Sequence, residues 1–332
     1  MYSDLQNRST AAARPERDLE VVVADRQVVA DGVVLLDLQD PDGEVLPAWE
    51  AGAHIDLVLP NGLVRQYSLC GEPQDRQSWR VAVLRESDGR GGSKFIHDEL
   101  RVGGTVRVRG PRNHFPLVPA QRYVFIAGGI GITPLIPMMT AASSGGADWQ
   151  LIYGGRSLTS MAFVEQLVAE HADSVAVRPQ DTFGLLNLDA LLGGPGGLSD
   201  GTLVYCCGPG PLIDAVEQRC TGLPTGLLRV ERFAPADASE PVLHGSFEVQ
   251  IASTGEALTV SPEESVLEVL RCNGIDIDAS CEEGTCGTCE TRVLDGQIDH
   301  RDFVLTAAER EQNALMMVCV SRAACPRVVL DL

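Results

Sequence analysis

The sequence predicts a multidomain chain: an antiparallel β-barrel, then an α/β unit built on a parallel sheet, then a small α+β unit. Three observations predict it. Between residues 19 and 117, short apolar β-like segments recur with turn signals between them, the pattern of a small barrel. From residue 123, strand-like and helix-like segments alternate, the rhythm of a parallel sheet with crossover helices. Near the C-terminus, Cys281, Cys286 and Cys289 stand in C-x4-C-x2-C spacing behind two strand-like segments and a helix, and Cys319 answers them thirty residues on.

Composition limits what these parts can serve. A chain of 332 residues has room for two or three domains, and a hydrophobic share of 44% is ample for their cores. The ten cysteines are scattered along a long chain, and the first 17 residues contain no apolar run like the core of a signal peptide. A reducing cytoplasm is expected. No stretch approaches the roughly 18 unbroken apolar residues of a membrane span, so no membrane partner is expected. A net charge of −20 argues against nucleic acid. From residue 243 to the end, sixteen Asp and Glu face six Arg, so the cysteine-bearing end is the acidic end. That excess either solvates a small domain or steers a basic protein partner.

In order, residues 1–17 are polar and aperiodic and are expected to form a flexible tail. Residues 18–118 form the barrel, with strands expected near 19–23, 33–38, 55–59, 79–84 and 105–108 and one helix over 93–100. Within it lie Arg65-Gln66-Tyr67-Ser68-Leu69 and Arg90-Gly91-Gly92-Ser93. Together they offer a guanidinium for phosphate, an aromatic face for stacking, a hydroxyl, and glycine-exposed N–H groups at a helix start. Those parts suit a phosphorylated, flat, redox-active ring. Taken singly, Arg65 reads as a surface ion pair and Tyr67 as a core aromatic.

Residues 119–233 form the α/β unit. A buried-looking strand runs into Gly128, Gly129 and Gly131, then Thr133 and Pro134, placing backbone N–H groups and a helix start where a pyrophosphate could lie. Pro134 replaces the third glycine of the standard dinucleotide fingerprint. A second strand ends at Cys207-Gly208-Pro209, again opening a helix, so both turns are expected to face one crevice. Residues 234–243 read as a linker. In the last unit, 244–332, alternation at Phe247, Val249 and Ile251 marks a strand, and a second follows near 257–260. A helix is then expected, with Ser261 as N-cap, Pro262 at N1, Glu264 closing a capping box, and Asn273-Gly274 ending it.

The cysteine spacing is that of a plant-type 2Fe-2S cluster, with Cys281, Cys286, Cys289 and Cys319 as ligands. Zinc is the rival, but structural zinc sites usually pair two short cysteine hooks, and here three ligands crowd one loop. Cys325 competes with Cys319 for the fourth place. Residues 282–288 lack proline and can donate N–H groups to the sulfurs. Cys70, Cys206, Cys220 and Cys272 read as small buried packing residues.

In this order, the motifs resemble the phthalate dioxygenase reductase family, relatives of ferredoxin-NADP reductase with a C-terminal ferredoxin domain. The resemblance covers residues 19–332 and also rests on Asp299-His300-Arg301-Asp302 and Cys319-Val320-Ser321-Arg322-Ala323. It implies FMN in the barrel, with Arg65 and Ser93 at its phosphate beside Gly91 and Gly92. Tyr67 would then lie beside the ring next to Leu69, with Ser68 near the reactive nitrogen. It implies NADH across the second unit, with its pyrophosphate near Gly129, Gly131, Thr133 and Pro134 and its nicotinamide near Cys207, Gly208 and Pro209. Phe233 would cover the flavin face, and Cys207 and Ser68 would flank the hydride. Arg156 follows a strand end where the adenosine ribose should lie, and an arginine there could also accept the 2′-phosphate of NADPH. The resemblance further implies a β-grasp fold for the last unit, a monomer, and delivery of single electrons to a separate oxygenase, Rieske-type or haem-thiolate. Two alternatives stand beside this reading: a redox-sensing or electron-carrying binding protein without rapid turnover, and an FAD-type electron-transfer subunit of a dehydrogenase.

Overall fold

The computed structural model describes residues 18–332 except 88, 90, 193–197, 199, 200, 222, 223, 225 and 234–240. The expected tail at 1–17, Arg90 and most of the expected linker lie outside the described residues.

The first unit comprises β1 (Asp18–Ala30), β2 (Val33–Gln39), β3 (His54–Val58), β4 (Val64–Ser68), β5 (Trp79–Leu84), α1 (Gly92–Asp98) and β6 (Thr105–Arg112). Every pairing is antiparallel, in the order β4-β3-β6-β1-β2-β5. A bridge between Leu69 and Val81 brings the two ends of that order together and closes the barrel. Alternate residues fill it, because successive side chains of a strand point to opposite faces: Val21 and Val23, Leu36 and Leu38, Ile55 and Leu57, Val106 and Val108. β4, which carries Arg65 to Ser68, was expected only as a motif. Its burial is intermediate at four of five positions, so it lacks the apolar alternation that marks a core strand.

In the second unit lie β7 (Arg122–Gly128), α2 (Leu135–Ser144), β8 (Asp148–Gly155), α3 (Val164–His171), β9 (Val175–Pro179), α4 (Gln180–Phe183), α5 (Leu188–Leu192), β10 (Thr202–Cys207), α6 (Gly210–Cys220) and β11 (Leu228–Glu231). The sheet is wholly parallel, in the order β11-β10-β7-β8-β9. Chain order runs outward from β7 in both directions, so the strand order reverses between β7 and β10. A crevice forms at such a reversal, outside the carboxyl ends of the strands. Both glycine turns lie there.

The third unit contains β12 (Phe247–Ile251), β13 (Ala257–Val260), α7 (Val266–Cys272), β14 (Glu290–Asp295), β15 (Ile298–Asp299), α8 (Ala307–Gln312), β16 (Leu315–Met317), β17 (Arg322–Ala323) and β18 (Arg327–Leu330). Its main sheet runs β13-β12-β18-β14-β16, with β12 and β18 parallel and α7 packed on the core, a β-grasp arrangement. The helix starts four residues later than expected. Ser265 is its N-cap and Glu268 closes the capping box. Ser261 and Glu264 form a turn instead, because the Arg322 guanidinium takes both their carbonyls and the Ser265 N–H turns to the Glu268 carboxylate. Cys70 and Cys206 are buried packing residues as expected, whereas Cys272 is exposed at the end of α7.

The third unit meets the barrel at a buried ion pair that the barrel itself holds. Asp56, fully buried, lies 2.6 Å from Arg112 and accepts a hydrogen bond from Ser280, the residue before Cys281. Removing one partner of such a pair costs about 3–5 kcal/mol, because the other charge is left stranded.

Candidate functional site

One cleft of about 320 Å³ is lined by all three units. The barrel contributes Arg65, Tyr67, Ser68, Gly92 and Ser93, the second unit Thr133, Glu231 and Phe233, and the third Cys281 and Thr285.

Sequence and backbone explain the barrel side. Gly91 has φ 86°, a left-handed conformation that glycine adopts without steric cost, and it turns the chain into α1. At Gly92 a Cβ would lie 2.5 Å from Arg65 Cγ, so only glycine lets the Arg65 stem cross the start of that helix. Ser93 Oγ accepts a hydrogen bond from the Glu86 N–H at 3.1 Å and keeps its own O–H to donate. Burial pushes the Tyr67 phenol well above its ordinary range, so it stays neutral beside the cleft. A flat ring with an anionic tail fits this wall: an aromatic face, a guanidinium, and backbone and hydroxyl donors converge on it. Leu69 does not reach the cleft. Its register opposite Val81 turns it into the barrel core.

The two glycine turns meet at the strand reversal. A Cβ on Gly131 would sit 2.3 Å from the Cys207 carbonyl oxygen, and one on Gly128 would sit 2.6 Å from Pro209 Cδ. Bare backbone is therefore required where the two turns pack on each other, at the strand reversal where a pyrophosphate would be expected. Gly129 precedes this contact in a 3-10 turn with φ 54°, and Pro134 caps α2. Gly208 and Pro209 lead into α6. Arg156 is exposed just beyond β8, its carbonyl accepting from the Asp181 N–H at 3.1 Å.

Cys207 and Ser68, far apart in sequence, are joined through a residue that sequence reasoning missed. Ser68 Oγ donates to Glu231 Oε2 at 3.3 Å, and Cys207 Sγ lies 3.9 Å from the same oxygen. Burial raises the Glu231 carboxyl from 4.5 to about 8, and hydrogen bonds from Ser68 and Cys207 only partly oppose it. Cys207, fully buried beside that acid, is raised well above the ordinary thiol range by desolvation. The only local signal for Glu231 was an acid closing a short β-like run just before Phe233. β11 itself was not expected, and a lone acid at its end has no motif.

The cysteine loop of the third unit also lines the cleft, through Cys281, Glu283 and Thr285. Glu282, Gly284 and Gly287 all have positive φ, and Cys281, Cys286, Cys289 and Cys319 are each less than a tenth exposed. Their thiols form a chain of contacts: Cys286 and Cys319 both hydrogen-bond to Cys281, and Cys319 also reaches Cys289. Among the described residues no three His, Cys, Asp or Glu side chains are grouped to hold a single metal ion. N–H groups of Glu283 and Thr285 donate to Cys281 Sγ at 3.3 and 3.4 Å, and that of Thr288 to Cys286 Sγ at 3.4 Å. Hydrogen bonds from Cys286 and Cys319 hold the Cys281 thiol well below its usual range. Four buried sulfurs with amide donors form the donor set an iron-sulfur cluster takes. Cys325 is engaged elsewhere: its sulfur accepts from the Gln297 N–H at 3.1 Å and lies 3.0 Å from the Arg327 carbonyl.

Two histidines, also missed, stand between the cleft and the loop. His54 and His114 stack with centroids 5.6 Å apart, both line the cleft, and a Cβ on Gly287 would meet His114 at 3.2 Å. Neither carries a sequence signal, since each follows ordinary loop or strand residues.

The comparisons agree with this geometry. Residues 249–324 match the family model of the 2Fe-2S iron-sulfur cluster binding domain. A vanillate O-demethylase oxidoreductase from Pseudomonas sp. (strain HR199 / DSM 7063) is 42% identical over 324 residues, spanning 95% of this chain and 100% of that one. A phthalate dioxygenase reductase, whose structure is described as modular for electron transfer from pyridine nucleotides to 2Fe-2S, superposes with TM-score 0.70 at 35% identity, covering 95% of this chain and 98% of that one. The chain belongs to the phthalate dioxygenase reductase family. Family members therefore share its succession of barrel, parallel sheet and ferredoxin-like unit over nearly the whole length. The same succession occurs inside a longer protein: a type IV self-sufficient cytochrome P450 monooxygenase matches at 45% identity and TM-score 0.86, with 95% of this chain covering 41% of that chain.

Proposed function

We propose that the protein passes electrons from NADH, through FMN in the cleft and a 2Fe-2S cluster in the cysteine loop, singly to a separate oxygenase. The observation that carries this reading is that Ser68, Glu231 and Cys281, from three different units, all line one cleft. NADH yields two electrons together as a hydride, and a 2Fe-2S cluster takes one at a time. Bound FMN supplies the exchange between the two.

The chain's own residues bind, orient and handle a proton. Arg65 and Ser93 hold the flavin phosphate, Tyr67 flanks the ring, and Phe233, two-fifths exposed, covers the face that nicotinamide must enter. The turns at Gly129 to Pro134 and at Cys207 to Pro209 seat the pyrophosphate and nicotinamide. A hydride brings one proton's worth of hydrogen with its two electrons, so electrons leaving singly oblige that proton to leave too. The Ser68 hydroxyl leads to Glu231, whose raised pKa lets it hold and release a proton near neutrality. Cys281, Cys286, Cys289 and Cys319 hold the cluster.

An anaerobic stopped-flow experiment tests the relay. NADH should bleach the flavin band first and the cluster band next, and flavin bleaching with a cluster that stays oxidised would sink it. Replacing Arg65 with Ala should lower flavin occupancy about tenfold or more at a fixed FMN concentration, since charge-assisted bonds to phosphate are the strong ones. Full occupancy after dialysis would remove Arg65 from the phosphate site.

The partner is a Rieske-type oxygenase or demethylase, or a haem-thiolate monooxygenase. Support for a protein partner comes from the acidic third unit that bears the cysteine loop. Salt should slow electron delivery to it, most steeply up to about 0.15 M ionic strength, where the Debye length is about 8 Å. A salt-independent rate would reduce that charge to solvation. No described helix is long and apolar enough to cross a membrane.

A further inference from the structure

Arg232 lies between the proton-holding Glu231 and the flavin-covering Phe233, and neither role uses it. Its side chain is 6% exposed. The guanidinium donates to Asp214 and to Glu217, each at 2.7 Å, and both acids stand on α6. Its Cζ lies over the ring of Phe303 in the third unit, 5.3 Å from the ring centroid. Phe303 in turn donates its backbone N–H to the Gly284 carbonyl at 2.8 Å, inside the cysteine loop. A continuous line therefore runs from α6, the helix opened by Cys207-Gly208-Pro209, through one arginine and one phenylalanine into the loop.

We propose that Arg232 is a positioning residue that sets the third unit against the flavin cleft by stacking on Phe303, so that the cysteine loop is held at a fixed reach from the flavin. The inference rests on the electron-relay reading above.

The chemistry suits arginine. Both carboxylates take the same nitrogen, Nη2, which tethers the guanidinium where its Cζ lies over Phe303, and a buried cation over an aromatic ring is little weakened by water. Lysine would keep the charge and lose the plane. Phe303 has no other aromatic neighbour among the described residues' ring contacts. What the stack accomplishes is registry between two units whose covalent connection passes through residues 234–243.

Four variants test it in the cofactor-loaded protein: Phe303→Leu, Phe303→Tyr, Arg232→Lys, and Phe303→Leu combined with Arg232→Lys. Both Arg232 and Phe303 also line the cleft, so in anaerobic stopped flow Phe303→Leu is read by the ratio of phases: cluster reduction should slow about tenfold relative to NADH-driven flavin bleaching, because small misplacements of reacting groups are costly. Phe303→Tyr, which keeps the ring, should restore the rate. The double variant should be no slower than the slower single one, as expected for partners in one contact. Hydrogen exchange in the oxidised protein supplies a reading apart from turnover: the Phe303 amide, bonded to Gly284, should lose protection in Phe303→Leu and in Arg232→Lys alike. An unchanged cluster phase with unchanged exchange overturns the proposal, as does equal slowing of both phases. Wild-type protein that bleaches its flavin without reducing its cluster overturns the relay reading itself, whereas a working wild-type relay with unaffected variants overturns the seat alone.

Discussion

Cys286→Ser abolishes the electron paramagnetic resonance signal of the reduced cluster while NADH still bleaches the flavin. The expectation follows from where the residue sits. Cys286 is 1% exposed, contacts Cys281, and receives the Thr288 N–H at 3.4 Å, so its sulfur is committed to the interior of the loop. Serine preserves the shape but offers a harder, far less acidic ligand in a position where a thiolate is required. The phosphate, ring and nicotinamide contacts proposed above come from the other two units, whose hydrophobic cores are separate from that of the third, although the third also lines the cleft. Loss of the cluster should therefore leave the hydride step intact. Cluster content read from iron and sulfide analysis should fall together with the signal. Retention of a full signal would remove Cys286 from the ligand set, and loss of flavin bleaching alongside it would show that the barrel depends on the loaded loop.

Glu231→Gln slows turnover with a one-electron acceptor about 100-fold, within the range that loss of a positioned acid–base group produces. Glutamine keeps an oxygen for the Ser68 hydroxyl, so the hydrogen bond and packing survive, but it cannot take up a proton. The pH profile separates these effects. Because the carboxyl titrates near 8, its proton-accepting form grows as pH rises toward 8 and saturates above it. Turnover should climb through that window in the parent protein and be flat in the variant. Stability should move the opposite way. Between 4.5 and about 8 the folded protein holds a proton that the unfolded chain has released, so folding is favoured at the lower end and loses ground as pH rises through the folded value. A thermal midpoint that falls across this range in the parent and less in Glu231→Gln would agree. Identical profiles for the two proteins would assign the proton to another route.

Much of this site is legible because its parts are local. The cysteine loop is nine residues with its own spacing, and the glycine turns are short runs whose function lies in backbone N–H groups rather than in distant partners. The α7 start was misread for a related reason. Ser261 and Glu264 carry a valid capping pattern, as do Ser265 and Glu268, and local rules cannot rank them. Arg322, some sixty residues on, decides by taking the Ser261 and Glu264 carbonyls.

By itself the sequence determined three units in order, their β or βα character, the three-cysteine loop and the two glycine turns, since hydrophobic period, turn chemistry and ligand spacing are written in neighbouring residues. Only the tertiary structure decided what meets what. Ser68 reaches Glu231 across 163 positions of chain, Arg232 reaches Phe303 between units, and His114 lies against Gly287. Such contacts come from the packing of whole elements, and no nearby residue records them. The raised pKa of Glu231 is of this kind: a carboxyl acquires it from the low-dielectric surroundings that other segments build around it.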